Sequence, residues 1–345
     1  MVTLALDGDT GAWDEFVARA EGSSFCHLVG WREILSDVLG AECLYRVVRD
    51  GGGEWQGVLP LVRVKSWIFG HYLVSLPFLN DGGPLGSPAA RRQLVQEAVT
   101  EARRSRADLL ELRTRDAGEE GGGGGLGLQV SSRKITVLRP LPPSSDELFA
   151  SFHSKLRNQI RRPLKDGLTA RFGPDQREPF YEVFARTMRD LGTPVLPRAL
   201  FDRIAAAFRD LVVFGVVYGG DQPLAGGCGL AWRGEFEMTW AGALRAARPL
   251  AANMLLYWAF MEQMIARGVR VFNFGRCTPG GGTHHFKQQW GGSDVPLRWC
   301  QYAPGGLKAT ASPDDPAFSW GPRLWRRLPL PIANRLGPRV VRFLP

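Results

Sequence analysis

The chain has 345 residues, 44% of them hydrophobic and 22% charged, and a net charge of +9, which is typical of a globular protein of about two domains. Its five cysteines are scattered and include no C-x-x-C pair, which argues against a disulfide framework and a structural zinc site. The N-terminus lacks a basic segment followed by an apolar run, and no stretch approaches ~18 uninterrupted apolar residues. We therefore expect a cytoplasmic protein with neither a signal peptide nor a transmembrane helix.

The first half of the chain has the pattern of a mixed α and β domain. Helical spacing predicts helices at 13–20, 31–39 and 91–105. Apolar runs bounded by turns predict strands at 44–48, 57–64, 73–78 and 108–113. The glycine tract 121–125 predicts a flexible loop, and the prolines at 140, 142 and 143 predict a linker, so we place an N-terminal domain at 1–140.

The second half opens with a predicted helix. Ser144 and Glu147 form a capping box, and apolar residues at i, i+4 spacing extend one helix to about Arg162, where Pro163 ends it. A strand at 168–172 and two helices, from Pro179 and at 200–209, are predicted next.

The end of the second half combines strands with one long helix. Strands at 211–218, 224–232 and 235–241 are joined by tight turns and predict an antiparallel meander. An apolar helix at 253–267 is followed by a strand at 269–274, a glycine-rich loop that runs from Gly275 to Trp290, and a strand at 295–302. We therefore place a second domain, carrying the active site, at 141–310, and a basic Pro/Trp-rich tail at 311–345.

Eight short segments, in order through nearly the whole chain, carry a family resemblance. They are W-R-E-I-L at 31–35, G-V-L-P-L at 57–61, L-V-S-L-P-F at 73–78, K-L-R-N-Q-I-R-R at 155–162, T-M-R-D-L-G-T-P-V at 187–195, N-M-L-L-Y-W at 253–258, F-N-F-G-R at 272–276 and F-K-Q-Q-W-G at 286–291. This set resembles the FemAB-like acyltransferases, especially the branch found with exosortase and exopolysaccharide gene clusters. The order of elements in the second half is also close to that of the GNAT acyltransferase fold.

The resemblance implies an α+β protein with two tandem GNAT-like domains that transfers an acyl or aminoacyl group to an amine. In the Fem ligases the donor is an aminoacyl-tRNA and the acceptor a peptidoglycan precursor. A lysine in a Phe-Lys pair lies at their reaction centre, and Lys287 after Phe286 matches it by position. For this chain the resemblance implies an envelope or exopolysaccharide precursor as acceptor.

One segment departs from the pattern of CoA-dependent GNAT proteins. They hold the pyrophosphate in a glycine-rich turn before a helix, where backbone N–H groups face the phosphates. Here residues 245–250 read R-A-A-R-P-L, without glycine and with a proline that lacks an N–H group. Either the donor is not CoA, or Arg245 and Arg248 hold its phosphates. We expect no tightly bound cofactor; the donor, aminoacyl-tRNA or acyl-CoA, acts as a co-substrate.

The loop after the strand at 269–274 supplies the predicted catalytic residues Lys287, Arg276 and His285. Acyl transfer needs stabilisation of the oxyanion, for which Lys287 or Arg276 offers positive charge. One of the adjacent His284 and His285 suits a general base, because the ordinary pKa of histidine is about 6.5. A Cys277–His284 nucleophile and base pair is a weaker alternative, and we expect no metal site.

The predicted substrate-binding residues are Phe286, Trp290, Tyr257, Asn273, Thr193, Arg245 and Arg248. Tyr257 and Trp290 have an alternative role in the core. The position of Thr193 is also explained by an ordinary turn between two helices, without substrate contact. Arginines 157, 161 and 162 either contact phosphates or form the solvated flank of an amphipathic helix. Three functions stay open: an N-acyltransferase, a non-catalytic GNAT module that binds tRNA or a polysaccharide precursor, and a CoA-dependent N-acetyltransferase with an atypical pyrophosphate loop.

Positive charge is unevenly distributed along the chain. Residues 141–310 carry +7 and the last 35 residues +4, whereas residues 1–140 carry −2. This suits an anionic partner such as tRNA, a CoA thioester or a lipid surface, although compositional drift explains it as well.

The segment 320–345 mixes Trp, Leu and Arg with five prolines, so it is not one long helix. It either contacts the inner membrane face or packs on the first domain.

Overall fold

The computed structural model describes residues 1–66, 70–115, 126–304 and 320–344. The chain forms two compact units, the first made of Met1–Lys134, Pro296–Ser312 and Arg342–Pro345, and the second of Ile135–Val295 and Pro313–Val341. The predicted division at residue 140 treats each domain as one continuous segment, whereas both units combine distant segments. The predicted glycine loop at 121–125 lies outside the described residues.

The first unit packs helices against a mostly antiparallel sheet. Its elements are β1 (Val2–Ala5), α1 (Thr10–Arg19), α2 (Gly30–Leu39), β2 (Glu42–Arg49), β3 (Trp55–Ser66), β4 (Gly70–Ser75), β5 (Leu85–Gly86), α3 (Pro88–Arg104) and β6 (Leu109–Leu112). Strands β1 to β4 pair in order, and β6 pairs with β4 in parallel. Leu59, Leu73 and Leu110 are among the core residues, packed against Leu94 of α3.

The second unit contains the predicted order of elements and a further strand before it. Its elements are β7 (Gln129–Pro140), α4 (Ser145–Ser151), α5 (Ser154–Lys165), β8 (Leu168–Phe172), α6 (Arg177–Leu191), α7 (Arg198–Ala207), β9 (Val212–Gly219), β10 (Gln222–Trp232), β11 (Glu235–Ala243), α8 (Ala252–Ala266), β12 (Val271–Cys277), α9 (Gly282–Gln288), β13 (Ser293–Tyr302), α10 (Trp320–Trp325) and α11 (Leu330–Val341). The bounds of β7 and β13 cross from one unit to the other.

The sheet of the second unit has the strand order β7-β12-β11-β10-β9-β8. Its pairs are antiparallel except for β11 and β12, which run parallel. The apolar helix α8 packs on this sheet, and Phe236, Phe260 and Phe272 are fully buried in the core. The predicted α+β class and the meander of β9 to β11 are confirmed.

The prediction of one helix that ends before Pro163 was wrong in two respects. The helix breaks at Phe152, whose extended backbone ends α4 and whose ring is buried, and the Nδ1 of His153 accepts the Leu156 N–H at 3.2 Å to begin α5. Pro163 then lies inside α5. The helical hydrogen bonds continue after it, since the Asp166 N–H donates to the Arg162 carbonyl at 3.0 Å.

The segment 275–290, predicted as a loop, contains a helix. Strand β12 continues to Cys277, the turn is confined to 278–281, and α9 follows. The His285 N–H donates to the Gly281 carbonyl at 3.1 Å and the Gln289 N–H to the His285 carbonyl at 3.2 Å. The short helix buries His284 and Lys287, three positions apart, on one face.

The tail forms two helices, which agrees with the expectation that it is not one long helix. They pack on α6 of the second unit, so the expectation that the tail packs on the first domain was wrong for these helices. The Arg326 side chain donates to the Leu191 carbonyl, and the Arg189 side chain to the Leu328 carbonyl, each at 3.2 Å. Within the described ranges, no helix is both long and apolar enough to span a bilayer.

Candidate active site

The pairing of the parallel strands β11 and β12 ends early, and we call the unpaired stretch beyond it the gap. They pair only at their beginnings, up to the pair Glu237 and Asn273, although β11 continues to Ala243 and β12 to Cys277. Over the described length of both strands, no further register joins them. Parallel strands that separate in this way leave room for a ligand within a sheet, so we take this gap as the candidate site.

A β-bulge shapes the β12 side of the gap. The register of β12 against β7 shifts between Asn273 and Arg276, and Gly275 has a left-handed φ of +71°. The Oδ1 atom of Asn273 accepts the Gly275 N–H at 2.8 Å and also the hydroxyl of Thr136 from β7. The Asn273 side chain therefore fixes the bulge from within the sheet.

The same asparagine joins β12 to two carboxylates of β11. Its Nδ2 donates to Glu235 at 2.8 Å and to Glu237 at 3.1 Å. Glu237 is 2% exposed, and a buried carboxylate is tolerated only with such donors. Asn273 is 1% exposed and its amide is fully used within the sheet, so its role in this structure is to join strands, and contact with substrate stays a prediction.

Lys287 of α9 lies behind the bulge. Its Nζ donates to the carbonyls of Gly275, at 2.7 Å, and Arg276, at 2.9 Å. The pKa of Lys287 is lowered to about 8, mainly by burial and to a smaller extent by the charge of Arg276, whereas Cys277 and Glu237 oppose the shift. At neutral pH the side chain is therefore a buried ammonium group with two of its three N–H groups held by the backbone.

Arg276 and Lys287, two of the predicted catalytic residues, lie close together. The Arg276 side chain is exposed, while its own carbonyl accepts the Lys287 ammonium. Two positive charges thus lie at the open end of β12, one fixed and buried and the other facing solvent. This arrangement can stabilise a developing negative charge on a substrate oxygen.

His285 does not share the face of Lys287. Positions two apart on a helix point about 200° from each other, and His285 is exposed whereas Lys287 is 4% exposed. His284 is on the buried face, but its Nδ1 accepts the Gly280 N–H and its Nε2 lies 2.9 Å from Asp294. The geometry therefore supports neither His285 as a base acting beside Lys287 nor the alternative Cys277–His284 pair.

Most of the predicted aromatic contacts belong to the core. Trp290 is fully buried, and its ring lies 6.2 Å from that of Tyr257 and 5.7 Å from that of Phe152. Tyr257 is 9% exposed and packs against Phe286 at 4.9 Å. Trp290 and Tyr257 therefore take the core role that was their alternative, and Phe286 is more exposed than either of them; substrate contact by these three residues stays a prediction.

The remaining predicted substrate contacts lie on exposed turns. Thr193 follows α6 and is exposed. The Arg245 side chain donates to the Asp190 carbonyl at 2.7 Å, and Arg248 is exposed. Arg161 of α5 was one of the arginines considered for phosphate contacts. Its guanidinium covers the Phe149 ring at 4.9 Å, which agrees with the alternative that these arginines form the flank of an amphipathic helix.

The turn at 245–250 is a 3₁₀ helix whose amides bond internally. The Ala247 N–H donates to the Leu244 carbonyl at 3.0 Å and the Ala251 N–H to the Arg248 carbonyl at 3.1 Å. These two N–H groups are therefore bonded within the turn, and Pro249 has no N–H group to offer a pyrophosphate. In the described part of the chain, no group of three or more His, Cys, Asp or Glu residues could hold a metal ion.

Sequence reasoning missed Glu237, Thr136 and Asp294, which complete the site. Thr136 lies within β7 and Asp294 at the start of β13, and the pairing of both strands is set by distant residues. Glu237 had a local signal. In the strand sequence E-F-E-M-T-W, alternation places Glu235 and Glu237 on the same face, so two neighbouring carboxylates there need a partner. The partner Asn273 shows why both carboxylates are tolerated.

Comparisons with known proteins give one matching family model and several structures with a similar fold. A family model described as an acetyltransferase (GNAT) domain matches residues 150–288. No curated protein sequence matches the chain. The structure is similar to the crystal structure of FemX, with a TM-score of 0.66 and 15% identity, covering 88% of this chain and 97% of that chain.

Two further structures share the fold. The C-terminal domain of a putative lysylphosphatidylglycerol synthetase from Agrobacterium fabrum has a TM-score of 0.58 at 14% identity, covering 86% of this chain and 92% of that chain. A tandem GNAT protein from the clavulanic acid biosynthesis pathway has a TM-score of 0.57 at 16% identity, covering 89% and 99%. Residues 150–288 therefore form a GNAT domain, and the chain has a tandem GNAT fold, which confirms its resemblance to the FemAB-like acyltransferases.

Proposed function

We propose that the chain is an N-acyltransferase that moves an acyl or aminoacyl group onto an amine of a cell-envelope or exopolysaccharide precursor. The observation that carries the proposal is the buried Lys287 ammonium, held by the Gly275 and Arg276 carbonyls beside the gap between β11 and β12. The structural similarity to FemX and to a putative lysylphosphatidylglycerol synthetase supports an envelope substrate.

In this reaction a neutral amine attacks the carbonyl carbon of the donor and a new C–N bond forms. The bond to the leaving oxygen or sulfur then breaks, and that atom takes up the proton lost by the amine. The carbonyl oxygen becomes negative in between. The third N–H of Lys287 and the Arg276 guanidinium supply the compensating charge, and one good donor of this kind is worth about 3 kcal/mol. The gap provides the place where the carbonyl approaches them.

The donor we favour is an aminoacyl-tRNA. The internally bonded turn at 245–250 supports this choice, because it offers no backbone cradle for CoA. A CoA-dependent acetyltransferase is the second candidate, favoured by the acetyltransferase description of the matching family model. In that case the exposed Arg245 and Arg248 side chains would hold the phosphates.

The test offers the full-length protein mixed charged tRNAs or acyl-CoAs together with amine-bearing envelope precursors, and detects new amides by mass spectrometry. We expect product with charged tRNA and none with Lys287→Met. Lys165→Met, which changes an exposed lysine on α5, is the matched control and should retain activity. Product from acyl-CoA alone would establish the second candidate, and substrate binding without product from any donor would indicate a non-catalytic module.

A further inference from the structure

The outward face of α11 combines apolar and basic side chains. Its inner face is made of the buried Ala333, Gly337 and Val341. One helical turn apart on the outside, Ile332 is 46% exposed and Leu336 is 37% exposed. Large apolar residues at this spacing on a solvent face form a stripe that is not explained by the packing of the helix on the protein.

This orientation is fixed by close packing on the other side of the helix. A Cβ atom added at Gly337 would lie 2.8 Å from the backbone nitrogen of Val195. At the start of the tail, a Cβ added at Gly192 would lie 2.5 Å from the Pro322 carbonyl oxygen. Because only glycine fits at these two contacts, the tail is seated on the second unit with Ile332 and Leu336 directed outward.

Neighbouring residues extend the stripe into a surface. Leu324 of α10 is 57% exposed, and Leu191 at the end of α6 is 51% exposed. The Arg326 side chain, which donates to the Leu191 carbonyl, joins these two elements. We call Leu191, Leu324, Ile332 and Leu336 with the arginines around them the C-terminal face.

The charge of the C-terminal face has one sign. Residues 320–345 contain six arginines and no Asp or Glu. Those at 323, 326, 327, 335 and 339 are exposed. Asp190, the acidic residue next to Leu191, is already paired with Arg189 at 2.7 Å. Leu324, Ile332 and Leu336 therefore lie in a segment whose charged side chains are all positive.

We propose that the C-terminal face binds the surface of a membrane that contains anionic phospholipids. Arginines attract the phosphate groups, and the apolar side chains enter the boundary between head groups and acyl chains. A nucleic acid would use the arginines but gain little from four exposed aliphatic side chains. This proposal does not depend on the proposed chemistry, although it would hold the protein where a lipid-linked acceptor is found.

The test measures co-sedimentation of the full-length protein with vesicles of phosphatidylglycerol or of phosphatidylcholine. We expect binding to the first and little to the second. Arg335→Gln/Arg339→Gln should weaken binding about 25-fold, at about fivefold per arginine. Ile332→Ser/Leu336→Ser should weaken it at least about tenfold, because the inserted apolar surface is lost. All four side chains are exposed, and an unchanged circular dichroism melt confirms folding.

A matched control is available on α5, where Leu164 is 50% exposed next to exposed Arg162 and Lys165. Leu164→Ser and Arg162→Gln/Lys165→Gln should leave vesicle binding unchanged within about twofold. Equal losses in the control variants would overturn the assignment of this face. So would full binding by Ile332→Ser/Leu336→Ser, or loss of tRNA binding rather than vesicle binding in Arg335→Gln/Arg339→Gln. Lys287→Met should bind vesicles normally, which separates this proposal from the chemistry.

Discussion

At the residue scale, the site depends on a lysine that is buried as a charged group. Removing an ammonium from water is unfavourable, and two backbone carbonyls compensate only part of that loss. The pKa of Lys287, lowered to about 8, expresses this balance. The sequence identified Lys287 and Arg276 as candidate sources of positive charge, but it could not predict the carbonyl contacts of Lys287, because those depend on the bulge that Gly275 makes in β12.

The lowered pKa predicts a pH dependence of stability. The ordinary lysine pKa of 10.5 applies to the unfolded chain, so between pH 8 and 10.5 the unfolded state binds more protons than the folded state. The stability of the wild type relative to Lys287→Met should therefore rise with pH, by about 2 kcal/mol from pH 8 to pH 10. Urea unfolding of both proteins at each pH measures it. Parallel pH curves for the two proteins would contradict the burial of a charged Lys287.

At the element scale, the bulge of β12 is stabilised from the side by one residue. Asn273 accepts the Gly275 N–H and donates to both Glu235 and Glu237. Asn273→Ala should destabilise the protein by about 3 kcal/mol, because it leaves a buried carboxylate short of a donor. Thr136→Val, which removes one neutral hydroxyl bond, should cost about 1 kcal/mol. A urea midpoint that changes equally in both variants would show that the carboxylates do not need Asn273.

The seating of α11 makes a second prediction at this scale. Gly337→Val places a side chain against the Val195 backbone, where a Cβ already lies within 2.8 Å, so the helix should be displaced. Amide hydrogen exchange over 330–341 should then accelerate at least about tenfold, which corresponds to a loss of about 1.4 kcal/mol of local protection. Gly321→Ala is the control, since nothing lies within 4 Å of its added Cβ. Unchanged exchange in Gly337→Val would contradict the described packing.

The elements that the sequence did not predict share a physical cause. Helix α9 begins at the last of three consecutive glycines, and its short length gives little periodicity, so the segment had the local pattern of a loop. Pro163 was taken as a helix end, but the helix tolerates it because Asp166 restores the bonding pattern. Local patterns therefore predicted the long amphipathic elements well and the short ones poorly.

At the scale of the whole molecule, the order of elements predicted the GNAT fold. It did not predict which segments of the chain make up each compact unit. Strand β13 pairs with β6, with Cys300 opposite Leu112 and Tyr302 opposite Leu110. Nothing local to residues 296–302 specifies a partner almost two hundred residues away, because a strand pattern indicates pairing without naming the partner. The same holds for β7, whose Thr136 reaches Asn273.

The turn at 245–250 predicts which donor the whole protein accepts. Its amides bond internally, so calorimetric titration with CoA should show no saturable binding below about 1 mM, or about −4 kcal/mol. Aminoacyl-tRNA should bind, and more weakly as salt increases, since phosphate contacts release counterions. Arg245→Gln/Arg248→Gln distinguishes the second candidate. If CoA binds tightly and this variant loses it, the side chains hold the phosphates and CoA is the donor.

The measurement that tests the central claim most directly is single-turnover transfer by the full-length protein carrying Lys287→Met or Lys287→Arg, with donor affinity measured in parallel. A fixed positive charge that acts on the transition state predicts that Lys287→Met lowers the rate by about 10²–10³ while the donor Kd stays within about twofold. Lys287→Arg, which keeps the charge, should retain more activity and should lack the decline above pH 8 that we expect of the wild type as Lys287 loses its proton. A Lys287→Met protein that transfers at the wild-type rate would contradict the account.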